Sequence, residues 1–213
     1  DLHGTKHSFP TRRSSDLQAL GPDRDIRFFP APSRSPYDPE GHNDGDRVSR
    51  TEVLEELMRD PDRLTLVTYA EALAPLVVGR ERMQRNTLAI KRGEELPIDT
   101  LMEWLQETGF QIADFVYEPG QFSIRGGIID VFSYGSDRPY RIELFGDTVE
   151  SIRRFDPQDQ LSVERLANAV IVPDLQDEDA ALQQPFFAQL PAHAVIWIRS
   201  TDAITDAARD ASE

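Results

Sequence analysis

The residues with the most chemical potential in this chain are arginines set on strand-like runs. Residues 120–132 read GQFSIRGGIIDVF, with Arg125 in the middle and Gly126 and Gly127 directly after it. Residues 139–145, PYRIELF, carry Arg141 and end on Phe145, and residues 148–155, TVESIRRF, carry Arg153. A guanidinium is a planar fork of donors that grips a carboxylate bidentately. Arginine beside an exposed aromatic is the composition of protein-interface hot spots. On a period of two, Phe122, Ile124, Ile128 and Phe132 share one face if the register runs through the glycines. Arg125, Ile129 and Val131 then share the other. In the next run Tyr140, Ile142 and Leu144 oppose Arg141, Glu143 and Phe145. The glycine pair suits a β-bulge that re-aims Arg125. The competing assignment pairs these arginines across strands with Asp130, Glu143 and Glu150, a surface arrangement of small energetic weight. Spacing alone leaves both open.

Other chemistry finds little support. No G-x-x-x-x-G-K-[ST] phosphate loop occurs, and no His or Cys set has metal-ligand spacing. His42 and His193 stand alone, and Ser123 and Ser133 fall in strands rather than on a nucleophile elbow. Carboxylates are abundant, but none is singled out as an acid–base couple. The expectation is therefore no catalytic residue, no metal ligand and no cofactor in this chain. Its 213 residues carry a formal net charge of −15, which repels phosphate backbones unless cations cluster. There is no cysteine, which excludes disulfides and fits a cytosolic protein. No apolar run approaches the length of a membrane span.

These arginines must be positioned by a scaffold, and the chain outlines one. Residues 7–17, HSFPTRRSSDL, have no signal-peptide pattern and translate a common sequencing-adapter sequence. Residues 1–17 are read as an adapter-derived, disordered artefact. Residues 26–32 give a short strand ended by prolines, and residues 33–46 are loop chemistry. Asp46 is a candidate cap for a helix to about Arg59, with Val53, Leu54, Leu57 and Met58 on one stripe. A buried strand, 64–68, turns directly into a short helix. That is α/β grammar, and residues 18–83 are read as the end of a first α/β half-domain.

The character changes near Gln84. Residues 86–96 read as a strand and turn. Residues 97–109 form an amphipathic helix with Ile98, Leu101, Met102 and Leu105 on its stripe and Gly109 placed to end it. Closely spaced strands follow at 110–117, 120–133, 139–145 and 148–155, with a two-residue Gly146-Asp147 hairpin loop. Residues 84–174 thus read as an α+β module, one main helix on a mostly antiparallel sheet. From residue 175 α/β grammar returns with a helical segment near Phe186 and Phe187 and a continuous apolar strand, AVIWIRS (194–200). The amphipathic segment after it breaks off at residue 213, as expected of a truncated half-domain.

Residues 118–156 resemble the transcription-repair coupling factor family, Mfd, and less closely UvrB. The shared pattern is G-[EQ]-[FY]-x-x-R-G-x-x-[IL]-D-[VIL]-F, then R-[IVL]-[ED]-[LF]-F, then Phe-Asp after the next strand. The flanks, IRFFPAPSRSPYDPE, RTEVLEEL and LTLVTYAEALAPLVV, agree with Mfd. A tyrosine-rich hairpin that UvrB carries ahead of this module is absent from SRSPYDPE. The resemblance implies a helicase-core-like α/β half-domain interrupted by a UvrA-binding module, in a cytoplasmic protein of transcription-coupled nucleotide excision repair. It implies Arg125, Arg141 and Phe145 as partner-binding residues; Arg153 has no motif support. RNA polymerase, DNA, ATP and Mg are implied for other domains of the parent, whose motor motifs this chain lacks. The alternatives are a UvrB-like core fragment that contacts DNA and a purely structural insert.

Overall fold

In the computed structural model, the described residues are 25–32, 43–175 and 183–198, with positions 202 and 205. The proposed adapter-derived segment lies outside them, as does most of the segment after residue 198. The chain divides into two units, Asp1–Val77 together with Gln183–Glu213, and Val78–Leu182.

In the first unit, strand β1 (Asp25–Phe28) pairs in parallel with β2 (Leu64–Val67), in register from Asp25 opposite Leu64 to Phe28 opposite Val67. Between them runs helix α1 (Asp44–Arg59), which buries Val48, Val53, Leu54 and Leu57. Asn43, not Asp46, caps it: the Asn43 side chain accepts from the Gly45 N–H, while Asp44 and Asp46 lie in the first turn and favour the helix dipole. After a 3₁₀ turn, Pro61–Arg63, β2 leads at once into the short α2 (Ala70–Leu73). Arg50 is buried; it donates to the carbonyls of Pro30 and Ala72 and stacks 4.2 Å over the Phe29 ring. Burial lowers its pKa to about 10. Two-residue strands, β3 (Val77–Val78) and β12 (Gln183–Gln184), and a 3₁₀ turn, Phe186–Gln189, follow in this part of the chain. The expected strand from residue 194 does not form: 194–198 carry no strand pairing, and Trp197 is 93% exposed. An apolar run is a buried strand only where neighbours pair with it and cover it, and composition cannot supply those neighbours.

The second unit opens with helix α3 (Arg80–Arg85). Strand β4 (Leu88–Lys91) pairs antiparallel with β11 (Asn168–Ile171), which brings the ends of the unit together. Helix α4 (Ile98–Glu107) buries Leu101 and Leu105. Gly109, at φ +87°, ends it with a Schellman arrangement: its N–H donates to Gln106 O, and the Phe110 N–H donates to Leu105 O. The main sheet has six strands in the order β10-β9-β8-β7-β6-β5. These are β5 (Gln111–Ile112), β6 (Gln121–Arg125), β7 (Ile128–Val131), β8 (Tyr140–Phe145), β9 (Thr148–Phe155) and β10 (Ser162–Leu166). All neighbours are antiparallel except β5 with β6.

Three expectations are corrected here. Residues 120–132 are not one bulged strand but the hairpin β6–β7, turning at Gly126-Gly127 with Arg125 opposite Ile128. Two features demand glycine. Gly126 has φ +61°, and a Cβ on Gly127 would sit 2.8 Å from the Leu144 carbonyl oxygen. The turn changes the faces. Phe122, Ile124, Ile129 and Val131 share one, and Ser123, Arg125, Ile128 and Asp130 the other, because opposed residues point the same way. The expected strand at 110–117 is only two residues long, since the chain leaves the sheet after Ile112. Strand β10 carries no clear alternation and went unread.

The face bearing Phe122, Ile129, Val131, Tyr140, Ile142 and Ile152 is the core, closed by Leu101 and Leu105 of α4, Ile90 of β4 and Ile171 of β11. The other face is where the arginines stand.

Candidate protein-interaction face

Strand register builds this face. One transverse row runs Ser123, Asp130, Arg141, Arg153, Arg165 across β6 to β10, each residue directly opposite the next. The adjacent row places Ile128 of β7 between Arg125 of β6 and Glu143 of β8, with Ser151 of β9 beyond. Three arginines side by side repel one another, and the carboxylates among them offset that repulsion.

Asp130 is the centre. It is fully buried, and both its oxygens are engaged. Arg141 grips it bidentately, Nε to Oδ1 at 2.7 Å and a terminal nitrogen to Oδ2 at 2.8 Å. Arg125 adds a bond to the same Oδ2 at 2.5 Å. The Asp130 bond raises the Arg141 pKa further above its already high ordinary value. Arg141 also donates to the Gln160 carbonyl at 3.2 Å and lies 4.4 Å over the Phe155 ring. Arg153 pairs with Glu143, and Glu143 accepts from the Ser151 hydroxyl at 2.6 Å. That bond, with Arg153 beside it, lowers the Glu143 pKa.

Two loops lie over the row. Gln160, at φ +62°, accepts from Arg141 through its backbone and donates through its amide to the Val116 carbonyl at 3.3 Å. Asp114, from the segment that leaves the sheet, accepts through its carbonyl from Arg125 at 2.8 Å. Phe115 lies under the same guanidinium at 5.2 Å. Phe115 and Tyr117 touch each other and are half-exposed. Val116, Phe132 and Phe155 make a small apolar cluster between the loops.

The three expected partner-binding residues therefore sit differently. Phe145 ends β8 and is 81% exposed. The Arg125 side chain is 39% exposed and that of Arg141 only 17%. Arg125 and Phe145 are at the same end of the sheet, because the Leu144 N–H donates to the Gly127 carbonyl at 2.7 Å. The pairing expected of Glu150 is not formed; its carbonyl accepts from Arg92 instead. Sequence reading missed Arg165, Phe115 and Tyr117. The first was hidden in an unread strand, and the other two in a segment assigned to the sheet. No group of three acidic or histidine side chains among the described residues converges as a metal site, and no helix among them is long and apolar enough to cross a membrane.

Residues 88–176 match the family described as UvrB interaction domain. The match spans β4 to β11, which includes the entire arginine face. Beyond the domain the chain is similar to the transcription-repair-coupling factor of Bacillus subtilis, 32% identical over 75% of this chain and 14% of that protein. It is also similar to that of Myxococcus xanthus, 35% identical over 68% of this chain and 12% of the relative. The UvrABC system protein B of Thermus thermophilus is a more distant relative, 34% identical over 51% of this chain and 16% of its own. The chain thus spans a small fraction of the length of the proteins it matches.

Proposed function

We propose that the UvrB interaction domain of this chain docks on UvrA and recruits it in transcription-coupled nucleotide excision repair. The supporting observation is Phe145. A phenylalanine 81% exposed at a hairpin tip, at the same sheet end as the half-exposed Arg125, is an anchor without a core to fill. The face around it carries Arg125, Arg141, Arg153 and Arg165 against Asp130 and Glu143, a cationic patch on a chain of net charge −15. Such a patch selects an acidic partner surface and steers the encounter. Arg125 and Phe145 are the direct contacts in this reading. Arg141 contributes its exposed edge and the orientation of its neighbours.

The names of the relatives support a wider reading. The chain is a part of a transcription-repair coupling factor, with the UvrA-binding unit inserted in a helicase-core-like α/β half-domain. RNA polymerase, DNA, ATP and Mg are then matters for other parts of a cytoplasmic parent that acts as an ATP-dependent translocase. A second reading, the structural insert, draws on one observation: the Arg141 side chain is spent mostly on Asp130 and Gln160. Calorimetric titration of UvrA with the 213-residue chain decides between them. The docking reading expects binding that Phe145→Ala weakens by about 2 kcal/mol or more and Arg125→Ala by about 1–2 kcal/mol. Absence of binding by the folded chain rejects it.

A further inference from the structure

Asp130 is the one fully buried carboxylate on the arginine face among the described residues, and it is shared. Each guanidinium brings one positive charge, and the carboxylate returns one negative charge. Arg153 and Glu143 close on each other, so the cluster of Asp130, Arg125 and Arg141 keeps one positive charge uncompensated. The two arginines are unequal. Arg141 holds the carboxylate by two bonds and is further fixed by Gln160 and the Phe155 ring. Arg125 holds it by one, through Oδ2. The surplus charge thus belongs to Arg125, the more exposed of the pair. Three acceptors clamp its terminal nitrogens: Asp130 Oδ2 at 2.5 Å, Ser123 Oγ at 2.8 Å and the Asp114 carbonyl at 2.8 Å. Phe115 supports one face of its plane. A guanidinium held this way loses little rotamer freedom when a partner carboxylate meets it, which preserves affinity.

We propose that Asp130 is a positioning residue for the docking face. It is a buried carboxylate that orders Arg125 beside Arg141 while leaving one positive charge for an acidic group of UvrA. This inference rests on the docking reading above. Asp130→Asn keeps the shape but removes the charge, and it turns one acceptor into a donor that faces guanidinium donors. Arg125, with the single bond, is the group released.

The test is a double-mutant cycle in UvrA affinity, by calorimetry on the 213-residue chain, with melting followed by circular dichroism on every variant. Asp130→Asn is expected to weaken binding about tenfold and Arg125→Ala by a similar factor, with the double variant no weaker than the weaker single. A purely structural Asp130 lowers the melting temperature but leaves the affinity of the folded chain unchanged; that result overturns the proposal, as does an additive cycle or tighter binding by Asp130→Asn. Should Asp130→Asn fail to fold, Ser123→Ala carries the test, since it removes one clamp on Arg125 and leaves the charges alone. A loss of about threefold that vanishes in an Arg125→Ala background supports the clamp; unchanged affinity overturns it. No binding by the wild-type chain sinks the docking reading and this inference with it. Wild-type binding indifferent to Asp130 and Ser123 sinks the inference alone.

Discussion

The two faces of the six-stranded sheet are made by the same strands in alternation, yet they are held by different physics. The face against α4 is a continuous apolar layer. Its central residues, Phe122, Ile129, Val131 and Ile142, are wholly buried, and each contributes by leaving water, with no demand on direction. The arginine face is held by a few directed bonds that converge on Asp130 and Glu143. A hydrophobic layer tolerates small shifts. A shared carboxylate does not, because its bonds depend on distance and angle and its desolvation is costly once a partner goes missing. The core face supplies stability, and the arginine face supplies a defined arrangement of charge.

Substitutions can break this contrast. The largest expected effect is on the core face: Ile142→Ala should destabilise the chain by about 3–4 kcal/mol in urea unfolding, through lost burial and the cavity left behind. An effect below about 1 kcal/mol would mean that the layer is far looser than its burial implies. Asp130→Ala should cost about 2–3 kcal/mol, a little below the usual range for a broken buried pair because both arginines retain some access to water. The double change Asp130→Ala with Arg141→Ala should cost less than the sum of the two. Additivity would deny that they form a unit. Gly127→Ala should cost about 1–3 kcal/mol, since its Cβ meets backbone at Leu144 and the hairpin must shift. Phe145→Ala should change stability by less than about 0.5 kcal/mol while it weakens UvrA binding. Loss of both together would assign Phe145 to packing.

The smallest effect concerns acid. The Glu143 pKa is depressed in the folded state by its bond from Ser151 and by Arg153. Glu143 therefore contributes stability that is present above the unfolded value, about 4.3, and is lost as pH falls through the lower folded value. Urea midpoints of wild type and Glu143→Gln, compared from pH 7 to pH 3, should converge in that acid range, by a few tenths of a kcal/mol for so exposed a pair. A gap that persists unchanged to pH 3 would remove the ion pair as its cause.

Much of the fold could be read without coordinates, because it rests on local signals. The stripe Ile98, Leu101, Met102 and Leu105 with Gly109 behind it gives α4 and its end, and alternation around Gly146-Asp147 gives β8–β9. These depend on residues close in sequence, and the physics that reads them is periodicity and turn chemistry. The same local reading failed at Gly126-Gly127. A bulge and a turn both want glycine there, and only the pairing of residues 122–125 back onto 128–131 separates them. It failed at 110–117 and at 194–198, where apolar content was present but pairing was not.

The types and positions of Arg125, Arg141 and Phe145 are in the sequence, and so is the motif that marks them. Their difference in exposure is not. It arises because β7 lies between β6 and β8, so that one carboxylate is opposite Arg141 and diagonal to Arg125, and because residues 114–117 and 156–161 close over the row. Those are contacts between residues far apart in the chain, fixed only when strand order, register and burial are set together. The sequence by itself determined which side chains could carry charge and which could form a core; tertiary structure decided which arginine keeps its charge for a partner.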